Sequence, residues 1–176
     1  VLELEHPGSD ACNRISAEIG RAIEEDRAEA IVLGCAGMAD LADRLAEEHG
    51  LPVLDGVTCA VRLAEAGPGQ TVLVQGGAGS VGHYAIQLAK ARGARVITTV
   101  SSPEKAAHAQ RAGADHVINY VTEDLAARVG QITGGQGVDA IIEVNLNANA
   151  PRYPGVLRPH GRVVVYGIVG TEATLP

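Results

Sequence analysis

A chain of 176 residues, 46% hydrophobic and 20% charged, is long enough to bury a core without disulfides or structural metals. Its formal net charge of -7 argues against a sequence-independent grip on nucleic acid or on an anionic membrane, because no basic stripe offsets phosphate repulsion. The sequence has neither an apolar run of about eighteen residues nor a secretory leader, so we expect a cytoplasmic protein that binds small ligands.

The cysteines Cys12, Cys35 and Cys59 are odd in number and lack C-x-x-C spacing. This pattern disfavours a disulfide framework and a zinc site, so we expect reduced thiols and no metal. Because the sequence contains no Phe and no Trp, the core must be built from Val, Ile, Leu and Ala. That composition suits a parallel sheet covered by Ala-rich helices.

Strand-type and helix-type segments alternate along the whole chain. Such alternation predicts parallel strands with right-handed crossovers, that is, a doubly wound α/β fold with a mostly parallel sheet of about eight strands. The three prolines in 147–160 predict a short or broken helix there. The predicted strands lie near 1–5, 30–34, 51–54, 71–75, 95–100, 116–119, 138–143 and 162–166.

A glycine-rich turn follows the predicted strand at 71–75 and opens a helical pattern that stops at Gly93. Its spacing is G-x-G-x-x-G, which in a strand-to-helix setting is typical of a dinucleotide-binding turn. The helix that follows would offer free N–H groups and a positive dipole end to a pyrophosphate. The alternative is a glycine-rich loop that binds nothing. The candidate phosphate-binding residues are Gly77, Ala78, Gly79, Ser80, Val81 and Gly82.

A dinucleotide fold that prefers NAD has an Asp or Glu about twenty residues beyond the glycines, for the ribose 2′-hydroxyl. Here Ser101 and Ser102 occupy that place, and Lys105 follows one helical turn later. A 2′-phosphate would meet hydroxyl donors and an ammonium, with Glu104 as the one nearby carboxylate, so the residues favour NADP over NAD. The alternative is that the serines cap a helix and that Lys105 is a solvated charge.

From about residue 67 to 176 the sequence resembles the cofactor-binding domain of medium-chain dehydrogenases/reductases, in the zinc-free quinone oxidoreductase branch. The resemblance implies that Ser101, Lys105 and Tyr120 hold the 2′-phosphate of NADP. It also implies a separate catalytic domain and further C-terminal elements, which we do not find in this sequence. The matching motifs are Pro-Gly-Gln-Thr-Val-Leu-Val at 68–74, Gly76-x-x-Gly79-x-x-Gly82, Ile86-Gln87-Leu88-Ala89-Lys90, Ala112-Gly113-Ala114-Asp115, Val117-Ile118-Asn119-Tyr120, Gly137-Val138-Asp139 and Leu157-Arg158-Pro159-x-Gly161-Arg162.

Residues 1–66 resemble the C-terminal half of the hydantoin and aspartate/glutamate racemase family, through Ala-Ile-Val-Leu-Gly-Cys-Ala-Gly-Met-Ala-Asp-Leu at 30–41 and Leu-Pro-Val-Leu-Asp-Gly-Val at 51–57. The resemblance implies that Cys35 corresponds to one of the two thiols that move a proton at a carbon beside a carbonyl in that family. We expect it to be an inherited, idle thiol, with a reactive thiol as the alternative. A helix start after Cys35 would lower the thiol pKa. We expect Cys12 and Cys59 to be inert small residues.

The two resemblances suggest a chimera, engineered or selected, with a seam at Gly67-Pro68-Gly69. The predicted segments are 1–66 and 67–176, packed as one continuous domain with one parallel sheet. We expect a retained NADP(H) half-site without efficient catalysis. Three alternatives stay open: an NADPH-dependent quinone oxidoreductase-like enzyme, a Cys35-dependent racemase-like enzyme, and a structural chimera with no ligand.

Three further polar residues are candidates for a functional role. Glu143 ends a predicted strand, Asn145 follows it, and His83 lies in the helix after the glycine turn. We expect surface or capping roles for all three, with His83 facing the phosphates as the alternative for that residue. The sequence does not fix the oligomeric state.

Overall fold

The computed structural model describes residues 8–34, 38 and 41–167. The chain divides into two compact units, Val1–Cys59 and Ala60–Pro176, each described here by itself. The predicted strand near 1–5 and residue Cys35 lie outside the described residues. No helix in the described ranges is long and apolar enough to cross a membrane.

The first unit alternates helices with short strands: α1 (Asp10–Asp26), β1 (Ile31–Leu33), α2 (Ala42–His49), β2 (Val53–Asp55) and the start of α3 (Gly56–Leu63). The strands pair in parallel, with Ile31 opposite Val53. Ser9 caps α1 by accepting a hydrogen bond from the Cys12 amide, and α1 ends at Arg27 in the left-handed conformation. The core contains Cys12, Ile19, Leu33, Leu41, Ala42, Leu45 and Val53.

The second unit is built around a five-stranded parallel sheet of order β5-β4-β3-β6-β7. Its main core is formed by aliphatic residues of the sheet and of α6. The elements are β3 (Thr71–Val74), α4 (Ser80–Ala91), β4 (Arg95–Val100), α5 (Pro103–Arg111), β5 (His116–Asn119), α6 (Leu125–Thr133), β6 (Val138–Glu143), α7 (Leu146–Asn149), a 3-10 helix (Ala150–Gly155) and β7 (Leu157–Val165).

The structure confirms the predicted fold class. All the strand pairs in the described residues are parallel, and helices connect successive strands. The prediction of a short or broken helix at 147–160 is also confirmed, since α7 has four residues and the 3-10 helix contains Pro154.

The hypothesis of one continuous sheet is wrong for the described strands, which form two sheets. β1 and β2 are three residues long and pair with each other, while β3 already has β4 and β6 on its two edges. Packing of the two segments as one domain stays a prediction.

Strand β7 begins at Leu157 rather than at the predicted residue 162. Leu157 pairs with Val138, and regular pairing resumes with Arg162 opposite Ala140 after an irregularity. His160 adopts a φ of 62° inside it. Because of this irregularity, residues 157–161 do not follow the alternating pattern of a regular strand, so the sequence does not indicate that β7 begins at Leu157.

Candidate functional site

The glycine turn connects the carboxyl end of β3 to α4, at the centre of the five-stranded sheet. β4 and β5 lie on one side of β3, while β6 and β7 lie on the other. The winding direction therefore reverses between β3 and β6. In doubly wound folds, ligands bind at the carboxyl ends of the strands beside this reversal.

Two glycines of the turn are required by close packing. A Cβ at Gly77 would overlap the Thr98 hydroxyl and approach Ile86 Cδ1 to 2.9 Å. A Cβ at Gly82 would overlap the Gly76 carbonyl oxygen and lie 2.8 Å from Gly77 Cα. The first turn of α4 thus lies directly against the loop, as the sequence predicts for a dinucleotide-binding turn.

Two threonines of β4 hold the turn in place. Thr99 Oγ1 accepts a hydrogen bond from the Gly76 amide over 3.1 Å and donates one to Gln75 Oε1 over 2.7 Å. The Thr99 carbonyl accepts from the Gly77 amide over 3.0 Å, and Thr98 Oγ1 donates to the Val74 carbonyl over 2.7 Å. Because both threonines are buried, the loop is fixed before any ligand binds.

The N-terminus of α4 has no side-chain cap. Gly79 is the N-cap residue, whereas Ser102 caps α5 and Asp124 caps α6 through their side chains. The first amides of a helix have no carbonyl partner within it, so those of Ser80, Val81 and Gly82 are suited to an anion. Gly79 and Ser80 are exposed, which leaves this helix end accessible.

Ser101 and Lys105 lie together at the end of β4. Lys105 Nζ donates a hydrogen bond to Ser101 Oγ over 2.9 Å. Ser102 Oγ instead accepts from the Lys105 amide over 3.3 Å, so this serine caps α5. Its hydroxyl also lowers the pKa of the exposed Glu104 carboxyl, which therefore stays ionised at neutral pH.

Tyr120 follows the last residue of β5 and occupies the next register position beside Ser101. Val100 pairs with Asn119, and the Tyr120 amide donates to the Val100 carbonyl over 3.1 Å. The side chain is 47% exposed. The structure thus brings Ser101, Lys105 and Tyr120 to the carboxyl ends of two neighbouring strands.

A crevice of about 310 Å³ opens at the carboxyl ends of β3, β4 and β6. A second cavity of about 440 Å³ shares Tyr120, Leu125 and Arg152 with it. The lining of the 310 Å³ crevice mixes polar and apolar residues and includes the ring of Tyr120. The residues of the 310 Å³ crevice are Gln75, Gly76, Thr99, Tyr120, Leu125, Val144, Asn145, Ala148, Asn149 and Arg152.

Glu143 is fully buried, so the expectation of a surface position is wrong for it. Its Oε1 accepts hydrogen bonds from the Val144 amide at 2.8 Å, the Asn145 amide at 2.6 Å and Asn149 Nδ2 at 2.9 Å. Its Oε2 accepts from the Tyr153 hydroxyl at 2.8 Å. Asn145 is a capping residue, as expected, since its side chain caps α7.

Burial and the neighbouring carboxylate raise the pKa of the Tyr153 hydroxyl, which therefore remains a donor at neutral pH. The sequence offers one signal for this network, namely an acidic residue at the end of an otherwise apolar strand that the topology buries.

His83 lies in the first part of α4, against α5. Its ring centroid is 4.7 Å from that of His108, and the Tyr84 ring packs edge-on at 5.9 Å. Burial lowers the pKa of His83, and the nearby His108 and Arg111 lower it further. A contact of His83 with phosphates stays a prediction.

In the first unit, Cys12 is 3% exposed and lies in the core. The Ser9 hydroxyl lowers the pKa of its thiol, against the opposing effect of burial. Cys59 is half-buried on α3. The inertness of both thiols stays a prediction, and the racemase-type role of Cys35 concerns a residue outside the described ranges.

Residues 80–176 match the family "Zinc-binding dehydrogenase". The chain belongs to this family. Residues 1–64 match a second family, "Asp/Glu/Hydantoin racemase". Both resemblances found in the sequence are thereby confirmed, and their combination in one chain is consistent with a chimera.

Individual relatives of both kinds agree with this division. The chain is 39% identical over 134 residues to an NAD-dependent alcohol dehydrogenase of Sulfurisphaera tokodaii, covering 73% of this chain and 39% of that protein. It is 56% identical over 66 residues to a hydantoin racemase of Rhizobium meliloti, covering 38% of this chain and 27% of that protein. The crystal structure of 2-haloacrylate reductase superposes with a TM-score of 0.62 at 36% identity, covering 68% of this chain and 38% of the other.

The chain thus spans between about a quarter and two fifths of the length of these relatives. The first of the two matching families is described as zinc-binding. In residues 8–34, 38 and 41–167, no three His, Cys, Asp or Glu side chains are grouped to hold a metal ion.

Proposed function

We propose that the second segment of this zinc-binding dehydrogenase family member binds NADP(H) at the carboxyl edge of its five-stranded sheet. The observation that carries the proposal is the hydrogen bond between Lys105 Nζ and Ser101 Oγ, 2.9 Å long, at the strand end beside the glycine turn. The proposal is supported by the sequence position of these two groups, since an NAD-preferring fold has a carboxylate about twenty residues beyond the glycines. A 2′-phosphate would accept from both groups.

The pyrophosphate would bind to the first turn of α4. The turn is preformed by Thr98 and Thr99, and Gly79 leaves the helix end without a side-chain cap. The amides of Ser80, Val81 and Gly82, together with the helix dipole, would supply the positive end. Ala78 and Gly77 would contribute backbone close to the phosphates.

The adenine ring would occupy the 310 Å³ crevice, with Tyr120 at its rim. The crevice joins the glycine turn to the Tyr120 side of the sheet, so one bound molecule can contact both regions. A planar base suits the aromatic and amide side chains that line it.

We further propose that this chain alone transfers hydride inefficiently. Hydride transfer needs a substrate held against the nicotinamide in a cleft that excludes water. Because the adenine ring would occupy the 310 Å³ crevice in this proposal, the crevice would not hold that substrate. NADPH oxidation with a quinone above the rate of a binding-deficient variant would contradict this part of the proposal.

Isothermal titration calorimetry with 2′,5′-ADP and with 5′-AMP tests the binding proposal without a nicotinamide pocket. We expect binding of 2′,5′-ADP and at least tenfold weaker binding of 5′-AMP. The control is Gly79→Asp, whose carboxylate would cap α4 and repel the 5′-phosphate of the nucleotide, while its Cβ would meet only the Gly76 carbonyl oxygen at 3.3 Å. Failure of the wild-type chain to bind 2′,5′-ADP would refute the proposal.

A further inference from the structure

We infer that Glu143 is a positioning residue for this dinucleotide crevice, holding the segment Val144–Asn149 as its wall through the amides of Val144 and Asn145 and the side chains of Asn149 and Tyr153. The inference rests on the proposed function, which it deepens by naming a residue that never touches the ligand. Val144, Asn145 and Asn149 line the crevice, whereas Glu143 does not.

The burial of the Glu143 carboxylate has to be offset by hydrogen bonds. Glu143 is fully buried, and burying a carboxylate is expensive unless hydrogen bonds compensate for lost water. Here both oxygens are engaged, and the donors come from three places along the chain: the residues just after β6, the end of α7 and the 3-10 helix. One carboxylate therefore ties all of these elements to the end of β6.

The wall segment Val144–Asn149 and the 3-10 helix after it have little helical stability of their own. α7 has only four residues, and the following 3-10 helix is interrupted by Pro154. Helices this short are not stable by themselves, so their position depends on side-chain contacts. The Glu143 network supplies such contacts on the side away from the ligand, which is the arrangement that keeps a binding wall rigid.

The test compares four variants of the full chain by titration with 2′,5′-ADP, after circular dichroism has shown each to be folded at the titration temperature. Glu143→Ala removes the acceptor of all the network hydrogen bonds, and Tyr153→Phe removes one donor. Glu143→Gln keeps an acceptor for the amides and offers its NH₂ group to the Tyr153 oxygen. Val129→Ala is the matched control, because Val129 is fully buried in the same core without lining the crevice.

We expect about tenfold weaker binding for Glu143→Ala, a smaller loss for Tyr153→Phe, and recovery of most of the affinity in Glu143→Gln. Val129→Ala should lose stability without losing affinity. Hydrogen exchange of the Val144 and Asn145 amides, measured without ligand, should accelerate in Glu143→Ala and not in the control.

The possible results separate the two proposals. Wild-type binding with unchanged affinity in Glu143→Ala and Tyr153→Phe would overturn the positioning role and leave the proposed function intact. Equal losses of affinity in Val129→Ala and Glu143→Ala would also overturn it, since general destabilisation would then explain both. No binding by the wild-type chain would overturn the proposed function, and the role of Glu143 in binding with it.

Discussion

Lys105 Nζ lies 2.9 Å from Ser101 Oγ, one helical turn along the chain, while the hydroxyl of the adjacent Ser102 caps the same helix. The two serines therefore have different structural roles. Ser102 stabilises α5, and Ser101 together with Lys105 presents polar groups toward the strand ends.

Replacing Lys105 by Met should separate the two adenine nucleotides. We expect 2′,5′-ADP to bind about ten- to a hundredfold more weakly, because a charge-assisted hydrogen bond to the 2′-phosphate is lost. Binding of 5′-AMP should change little. Calorimetric titration with each nucleotide checks this, with Arg21→Gln as a control that removes an exposed charge from the first unit. An equal loss of affinity for 2′,5′-ADP in Arg21→Gln and in Lys105→Met would contradict a specific role of Lys105 and indicate a general charge effect.

Gly77→Ala and Gly82→Ala should each disrupt the glycine turn. The new methyl groups would overlap the Thr98 side chain and the Gly76 carbonyl, respectively, so we expect a loss of roughly 1–3 kcal/mol in the free energy of unfolding and no nucleotide binding. Urea denaturation gives the stability change. The control is Gly130→Ala in α6, where a Cβ meets nothing within 4 Å and should stabilise the helix by about 0.5–1 kcal/mol.

His83 should make the protein less stable in mild acid. Its pKa lies below the ordinary value of 6.5 in the folded chain, so below pH 6.5 the unfolded state binds the proton first. The stabilisation that comes from neutral His83 is fully present above pH 6.5. It is lost as the pH falls below this value and through the lower pKa that His83 has in the folded chain. His83→Gln should therefore reduce the stability difference between pH 7.5 and pH 5.5, measured by denaturant unfolding.

His116 acts in the same direction, because burial also lowers its pKa. The His83 variant should thus remove only part of the acid sensitivity. His160→Asn, at an exposed position, serves as the control. A pH dependence identical to that of the wild type would show that His83 does not titrate differently in the folded chain.

Tyr166 should destabilise the fold in alkali. Burial, and then the Glu143 charge, raise its pKa to about 12. As the pH rises above about 10, the unfolded chain ionises this residue while the folded chain does not, so stability falls. Tyr166→Phe should reduce the loss of stability between pH 9 and pH 11. The measurement is unfolding by denaturant at both pH values, and an unchanged loss would contradict the assignment.

The fold class was predictable because its signals are local. Apolar strands followed by helical stripes, and glycines at 77, 79 and 82, specify a parallel α/β unit and its binding turn. The expectation of one sheet is wrong for the described strands, because strand pairing between distant elements leaves no local signal in the sequence. The short strands β1 and β2 pair with each other instead.

The hydroxyls and the ammonium at the end of β4 could be named from spacing alone, since Ser101 and Lys105 are one helical turn apart. Glu143 could not, because its role depends on partners six and ten residues later in segments of irregular structure. Sequence periodicity places a residue on a face of an element. It does not report which side chains of an irregular segment converge on it.

The division of roles between Ser101 and Ser102 bears on how cofactor preference can evolve. Helix α5 is capped by Ser102, so an exchange at Ser101 changes the groups presented to a ribose without removing the cap. In the proposed NADP(H) site, a single substitution at Ser101 would therefore change the cofactor preference while the cap of α5 is kept.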